Sequence, residues 1–441
     1  MTADVRQIRT AAEQALAGAF SDLKPRLVGA ERERADAFRM FEEAGLPHRR
    51  VEEWKYTDLR ALMREAKPLA GKPGKTALAS ALDAAKGAGF LARVDARRLV
   101  VVNGTFVSEL SDTKNLEAGL SIASLSDALA RNDGAASGIG QTVRTKDVAV
   151  ALNTAFMTDG VIIRVADGAK IERPIIVAYV FTGNAAATFT RSMVTLGNDA
   201  ALTLVETFEG PADVDYQVNT ALDAVIGDRA HFDHVKVGRD GGKALHLGTT
   251  MARVGAEARM HDFAFTTGGA VTRNQVFLNV IGDDSKVAIN GGNLLKGRQH
   301  VDTTLVVDHA SLGCESRELF KHVLDDESRG IFQGKIIVQP GAQKTDGKMA
   351  SHALLLSESA EADNKPELEI FADDVVCGHG ATAGALDEEL LFYLMARGIP
   401  KKESEALLIQ SFVGEAIETI EHEGVREALL EFAAEWLKAR G

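Results

Sequence analysis

The chain lacks the residues that mark several common classes of protein. Its 441 residues hold two cysteines, Cys314 and Cys377, 63 positions apart. That is too few for a disulfide framework and fits a reducing cytosol. Aromatic residues make up 6%, thin for a carbohydrate-binding cleft. No basic run exceeds a few residues, and 50 basic against 63 acidic residues leave a formal charge of −13. Such a field repels phosphate backbones and argues against a nucleic-acid partner. No segment approaches the roughly 20 apolar residues that span a bilayer. The N-terminal MTADVRQIRTAAEQALAGAF carries charge throughout, without an apolar signal-peptide core. A cytoplasmic location without membrane contact is the expectation.

Catalytic signatures are missing too. A phosphate-binding loop needs an upstream glycine and then Gly-Lys-Ser/Thr. Here Gly242-Lys243 is followed by Ala244 and Gly347-Lys348 by Met349, so no nucleotide is expected on this chain. Gly-x-Ser-x-Gly and His-Glu-x-x-His are absent, which removes the common hydrolase and zincin signatures. GDDSKVAINGG lacks the alternating acids of a calcium loop. The expectation is a protein that is not an enzyme.

What is present divides into three segments. Residues 1–96 read as helical. In RERADAFRMFEEAGLP, Ala37, Phe38, Phe41 and Ala44 recur at helical spacing, and Gly45 with Pro47 supplies a stop. Thr57-Asp58 can cap a helix over LRALMREA, and the small-residue stretch GKPGKTALASALDAAKGAGF follows as a loose helix and linker. Trp54 is expected to pack the N-terminal helices.

Residues 97–385 have a strand-like texture and an internal period. VADGAKI from Val165, LGNDAAL from Leu196, IGDRAHF from Ile226, VGAEARM from Val254 and IGDDSKV from Ile281 share one pattern, and LGCESRE from Leu312 keeps its front half. The starting positions are 27 to 31 residues apart. Units of that size cannot bury their own apolar faces and must stack. A parallel β-helix or related β-solenoid satisfies the pattern; an antiparallel sandwich would turn more often.

Residues 386–441 return to helix. KKESEALLIQSFVGEAIETIEHEG places Ile409, Phe412, Val413, Ala416, Ile417 and Ile420 on one stripe. The appendage either caps the last rung or docks a partner. The histidines at 231, 234 and 246 fall in strand-like segments and read as structural, and Cys314 sits inside a repeat turn.

One stretch concentrates metal-ligand chemistry. In DDVVCGHGATAG, residues 373–384, Cys377 and His379 are two apart. On a strand they share a face, about 6.6 Å apart at Cα. Thiolate and imidazole favour zinc, copper and iron–sulfur clusters, but two ligands fill half of a closed site. The pair is either part of a shared metal site or a buried cysteine beside a histidine.

KPELEIFADDVVCGHGATAGALDEELLFYLMARGIPKKESEALLIQSF (365–412), SRGIFQGKIIVQPGAQKTDGKMASHALLLS (328–357) and GLPHRRVEEWKYTDLR (45–60) closely resemble the SufB/SufD family of iron–sulfur cluster assembly scaffolds. The Glu-Glu-Trp-Lys-Tyr-Thr and Cys-Gly-His-Gly-Ala-Thr runs are similar to its SufD branch. The resemblance implies a right-handed parallel β-helix between helical ends and a SufB paralogue paired through the β-helix. It also implies a SufC ATPase on the C-terminal helices, with Ile409, Phe412, Val413 and Ile417 as docking candidates. A transient cluster, or iron, would form at the SufB interface. His379 matches the family's cluster-site histidine and Cys377 the neighbouring cysteine; no sulfur-handling role transfers to Cys314. The alternatives are a homodimer holding a cluster between two copies of Cys377 and His379, and a β-helix polysaccharide lyase, which the thin aromatic content disfavours.

Overall fold

The computed structural model describes residues 9–82, 89–132, 134 and 136–439. Its regular feature is the turn seen as a repeat in the sequence. Gly168, Asp199, Arg229, Glu257, Asp284, Gly313 and Lys344 all adopt left-handed backbone, with φ between 54° and 71°. Each donates its N–H to a carbonyl of the next turn, as Asp199 does to Asp228 at 2.8 Å and Asp284 to Leu312 at 2.9 Å. The residue after it is small and faces inward: Ala200, Ala230, Ala258, Ser285, Cys314 and Thr345 are at most 1% exposed. Turn thus stacks on turn, and backbone groups are satisfied between rungs.

The sixth unit sits differently from its sequence reading. The pairing Lys286↔Glu315 sets Cys314 opposite Ser285 and Gly313 opposite Asp284. The unit therefore opens at Ala310, two residues before Leu312. Leu312-Gly313 imitates the apolar-glycine opening but occupies the middle of the turn.

Between turns the chain runs as β-strands, two per rung, giving eight rungs from Val161 to Gly384. The two strands of a rung lie in opposite walls. Each pairs in parallel with its equivalent on neighbouring rungs, in register: Gln217↔Leu245, Leu245↔Val271, Val271↔His300 and His300↔Arg329. One wall is a ten-stranded sheet ending at strand Val376–Gly384, and the other a nine-stranded sheet ending at Glu361–Ile370. The architecture is a parallel β-solenoid with helices at both ends of the chain. Alternate side chains fill the space between the walls, from Leu99 and Ile175 to Phe320, Phe332 and Met349.

Helices Ala11–Leu23 and Glu31–Ala44 pack beside helix Val148–Phe156, all nine residues of which are buried. Phe20 stacks on Phe38 at 3.9 Å and Phe156 on Phe189 at 4.9 Å. Trp54 joins this cluster and also ties it to the solenoid. Its Nε1 donates to Asp147 at 2.9 Å, and the Arg273 guanidinium lies 3.9 Å from its ring centre. Arg273 pairs with Asp302, both fully buried, and Thr57 donates to Asp302. Asp58 caps a helix as expected, though only over Leu59–Leu62. Lys67, bonded to Asp215 at 2.7 Å, and the Glu65 carbonyl, accepting from Gln217, then draw the chain along the wall. Residues 83–88 of the small-residue stretch lie outside the described residues.

The turns also set a steric limit. A Cβ on Gly282 would lie 1.9 Å from the Ala256 nitrogen, whereas one on Gly341 meets nothing within 4 Å. Gly282→Ala is therefore expected to lower the urea unfolding midpoint by the equivalent of about 2 kcal/mol or more, and Gly341→Ala to stay within about 0.5 kcal/mol. Equal midpoints would mean that the turn stack tolerates a side chain there.

Candidate functional site

Cys377 and His379 lie on the last strand, Val376–Gly384, as the alternation predicted. Register settles which face they take. Cys377 pairs with Gly347 and His379 with Met349; one rung earlier these pair with Ser316 and Glu318. Met349 belongs to the interior core, and Cys377 packs against it. Both ligands therefore line the inward face of the final rung, at the solenoid's open end. Cys377 is half-buried and His379 exposed.

Burial raises the Cys377 thiol pKa, helped by the Asp346 charge and opposed by a Gly347 backbone hydrogen bond. The sulfur is thus a thiol at neutral pH until a cation displaces its proton. Two rungs behind His379 lies Glu318, which is fully buried and was not anticipated from the sequence. Neither of its carboxylate oxygens has a partner in hydrogen-bonding geometry. Burial, opposed by Ser316 and the Arg317 charge, pushes its pKa up to about 8. The signal was present in CESRELF: alternation puts Ser316, Glu318 and Phe320 on one face, and Phe320 is core.

The open end is an edge in both walls. Strands Glu361–Ile370 and Val376–Gly384 each terminate a sheet and leave a row of backbone groups unpaired within the chain. Around them Phe371 and Val376 are 60% and 63% exposed. Helix Glu388–Ala396, capped by Asp387, buries none of its residues and exposes Leu390, Phe392, Tyr393 and Met395. Exposed apolar side chains in such number are typical of an interaction surface.

The stripe expected to dock a partner lies elsewhere. Ile409, Val413 and Ile417 are fully buried and Phe412 partly so, in a cluster with Val235, Val237, Phe263, Phe265 and Leu294 of the solenoid's outer wall. Side chains covered by their own chain cannot also present a surface, so the stripe holds helix Lys401–Ile417 to the wall. Apart from Leu407, the large exposed apolar side chains among the described residues of this region are on Glu388–Ala396.

The remaining chemistry-bearing residues are mostly internal. His234 is held between Asp262 at 2.6 Å and Glu206 at 3.1 Å, and these carboxylates overcome its burial to raise its pKa to about 9. His246 bonds Asp240 at 2.7 Å, with its own pKa lowered by burial. Cys314 fills the small-residue column of the turns, its Sγ 3.3 Å from the Gly282 carbonyl oxygen. Both cysteines are free.

Comparison with known proteins identifies the family. The family model described as SUF system FeS cluster assembly, SufBD core domain, matches residues 179–412, and that of the SufBD protein N-terminal region matches residues 25–177. The chain belongs to the SufBD family. An iron-sulfur cluster assembly SufBD family protein of Synechocystis is 30% identical over 85% of this chain and 84% of its own length. The iron-sulfur cluster assembly protein SufD of Escherichia coli is 29% identical over 88% of each, and that of Bacillus subtilis 28% identical over 64% of each. A role in SUF iron–sulfur cluster assembly follows for the family member described here. No helix among the described residues is long and apolar enough to cross a membrane.

Glu318 makes stability depend on pH in a definite direction. Its folded pKa lies above the ordinary 4.5, so its favourable contribution is complete below that value and is lost as pH rises towards 8. At pH 7 the loss is about 3 kcal/mol. Glu318→Gln is expected to raise the urea midpoint at pH 7–8 and leave it nearly unchanged at pH 4.5. An unaltered pH slope in the variant would contradict a protonated interior acid.

Proposed function

We propose that this chain is a non-catalytic scaffold subunit whose last solenoid rung forms half of a shared iron–sulfur assembly site. One observation carries the reading: two metal-ligand side chains lie on the inward face of a strand unpaired along its outer edge and bordered by exposed apolar residues. The cluster, or the iron that starts it, is cargo held during assembly. His379, exposed at the edge, offers a nitrogen. Cys377 offers a sulfur once a cation makes loss of its proton favourable. A closed iron–sulfur site takes four ligands, and this edge supplies two. A SufB-type paralogue with a matching edge supplies the remainder and continues the sheets across the junction.

ATP chemistry belongs to a SufC-type ATPase, since this chain has no phosphate-binding loop. The exposed face of Glu388–Ala396 suits docking of that partner better than the buried Ile409–Ile417 stripe. The proximity of helix and open rung along the chain lets movement of the docked ATPase strain the subunit junction. A cytoplasmic setting accords with the two unpaired cysteines.

His379→Ala should leave the complex assembled and lower iron and acid-labile sulfide in the anaerobically purified assembly about tenfold or more. Unchanged loading would remove His379 from the ligand set. Phe371→Glu should abolish co-purification of the paralogue without altering the circular dichroism spectrum, because the ring is already exposed. Phe392→Glu should release the ATPase and keep the paralogue. If Phe371→Glu instead splits a complex made of two copies of this chain, the homodimer reading replaces the heteromeric one.

A further inference from the structure

Three side chains with metal-ligand chemistry meet well away from the open end. His231 and Asp233 lie two apart on strand His231–Arg239, five strands from Val376–Gly384 in the same wall, roughly 24 Å at the usual strand spacing. Both face outward, on the side occupied by Val235 and Val237 beneath the C-terminal helices. Glu421 comes from the turn between helices Lys401–Ile417 and Glu423–Ala439. His231 Nε2 is 3.3 Å from Asp233 Oδ1 and 3.2 Å from Glu421 Oε2. One ligand atom from each residue lies within 4.8 Å of the other two. Nitrogen and oxygen ligands bonded at about 2.0–2.2 Å to one ion sit about 3–3.4 Å apart, and both contacts of His231 Nε2 fall in that range.

A second observation points the same way. Asp233 is 8% exposed, and its Oδ1 has no hydrogen-bond partner; the approach to His231 is a charge contact rather than a directed bond. Buried carboxylate oxygens are ordinarily satisfied by directed hydrogen bonds, and this one has only the charge contact with His231, beside a second carboxylate. On the next rung His261 stands opposite Asp233, is also buried, and has an unpartnered Nδ1. Its Nε2 reaches Thr419 of the same inter-helix turn at 3.3 Å. Opposing charge comes from Arg259, which neighbours His231 in register, a single cation against two carboxylates.

We propose that His231, Asp233 and Glu421 bind a first-row divalent cation, zinc or iron(II), which clamps the inter-helix turn onto the solenoid wall. One imidazole and two carboxylates suit such ions, and the half-exposed Glu421 leaves an open side for water ligands. The ion is structural and distinct from any cargo at Cys377 and His379. Its effect is to fix the start of the last helix, whose Leu429, Ala433 and Leu437 pack against the outer-wall cluster.

The test uses full-length chain freed of metal by chelation, titrated with zinc sulfate by calorimetry and, anaerobically, with ferrous ammonium sulfate. Amide hydrogen exchange is followed over residues 418–439. The expected result is one ion per chain at this site, counted in the Cys377→Ser/His379→Ala background, with affinity reduced about tenfold or more in Glu421→Gln and Asp233→Asn. That site should be retained in the Cys377→Ser/His379→Ala double variant. Zinc should slow exchange across the turn in the parent chain and not in Glu421→Gln, which alters a side chain too exposed to threaten folding. Equal affinity in the parent and Glu421→Gln would overturn the site, as would loss of all binding in the double variant. Binding without slower exchange would overturn the clamp.

Discussion

The whole molecule depends on a stack of left-handed turns. Each turn hands an N–H to the next and tucks a small residue inward, which holds neighbouring rungs in register along both walls. Exact register makes columns, and columns give positions chemical meaning. Ser316, Gly347 and Cys377 form one column and Glu318, Met349 and His379 another, because no bulge interrupts the last three rungs of that wall. A solenoid built this way has no internal reason to stop. Its last rung is therefore an open edge, and Cys377 and His379 sit on that edge.

The interior also shows what the fold tolerates. His234 between Glu206 and Asp262, and Arg191 against Asp223 at 2.6 Å, are buried charges with partners. They are dear to desolvate, and removing one partner strands the other. Glu318 has no such partner and is neutral instead. The polarity of the core thus changes along the axis, from paired charges in its early rungs to an uncharged acid behind the open end. A thiol above a neutral acid keeps its proton more readily than one in a cationic pocket, so the proposed binding of a metal at Cys377 requires the thiol to ionise.

Much of this was readable in the residues. The six near-even turns gave the solenoid, since apolar-Gly-x-x-small is what a stacked left-handed turn requires. Cys377 and His379 shared a face because strand side chains alternate. Helix Val148–Phe156 escaped notice because it is buried on every side, which removes the amphipathic period that identifies helices. The Ile409–Ile417 stripe was visible, but an apolar face does not say whether its own chain or another covers it; here the solenoid wall does. His231 and Glu421 are 190 positions apart, and only packing of the last helices brings them together with Asp233.

The most direct test is to isolate the unmodified chain from its native cells without oxygen, identify what accompanies it, and assay iron and acid-labile sulfide in the same preparation. The account predicts a SufB-type paralogue and an ATPase in the preparation, with both elements present. A chain that emerges alone and free of iron and sulfide would contradict it, leaving Cys377 and His379 as a thiol and an imidazole side by side at the end of a solenoid.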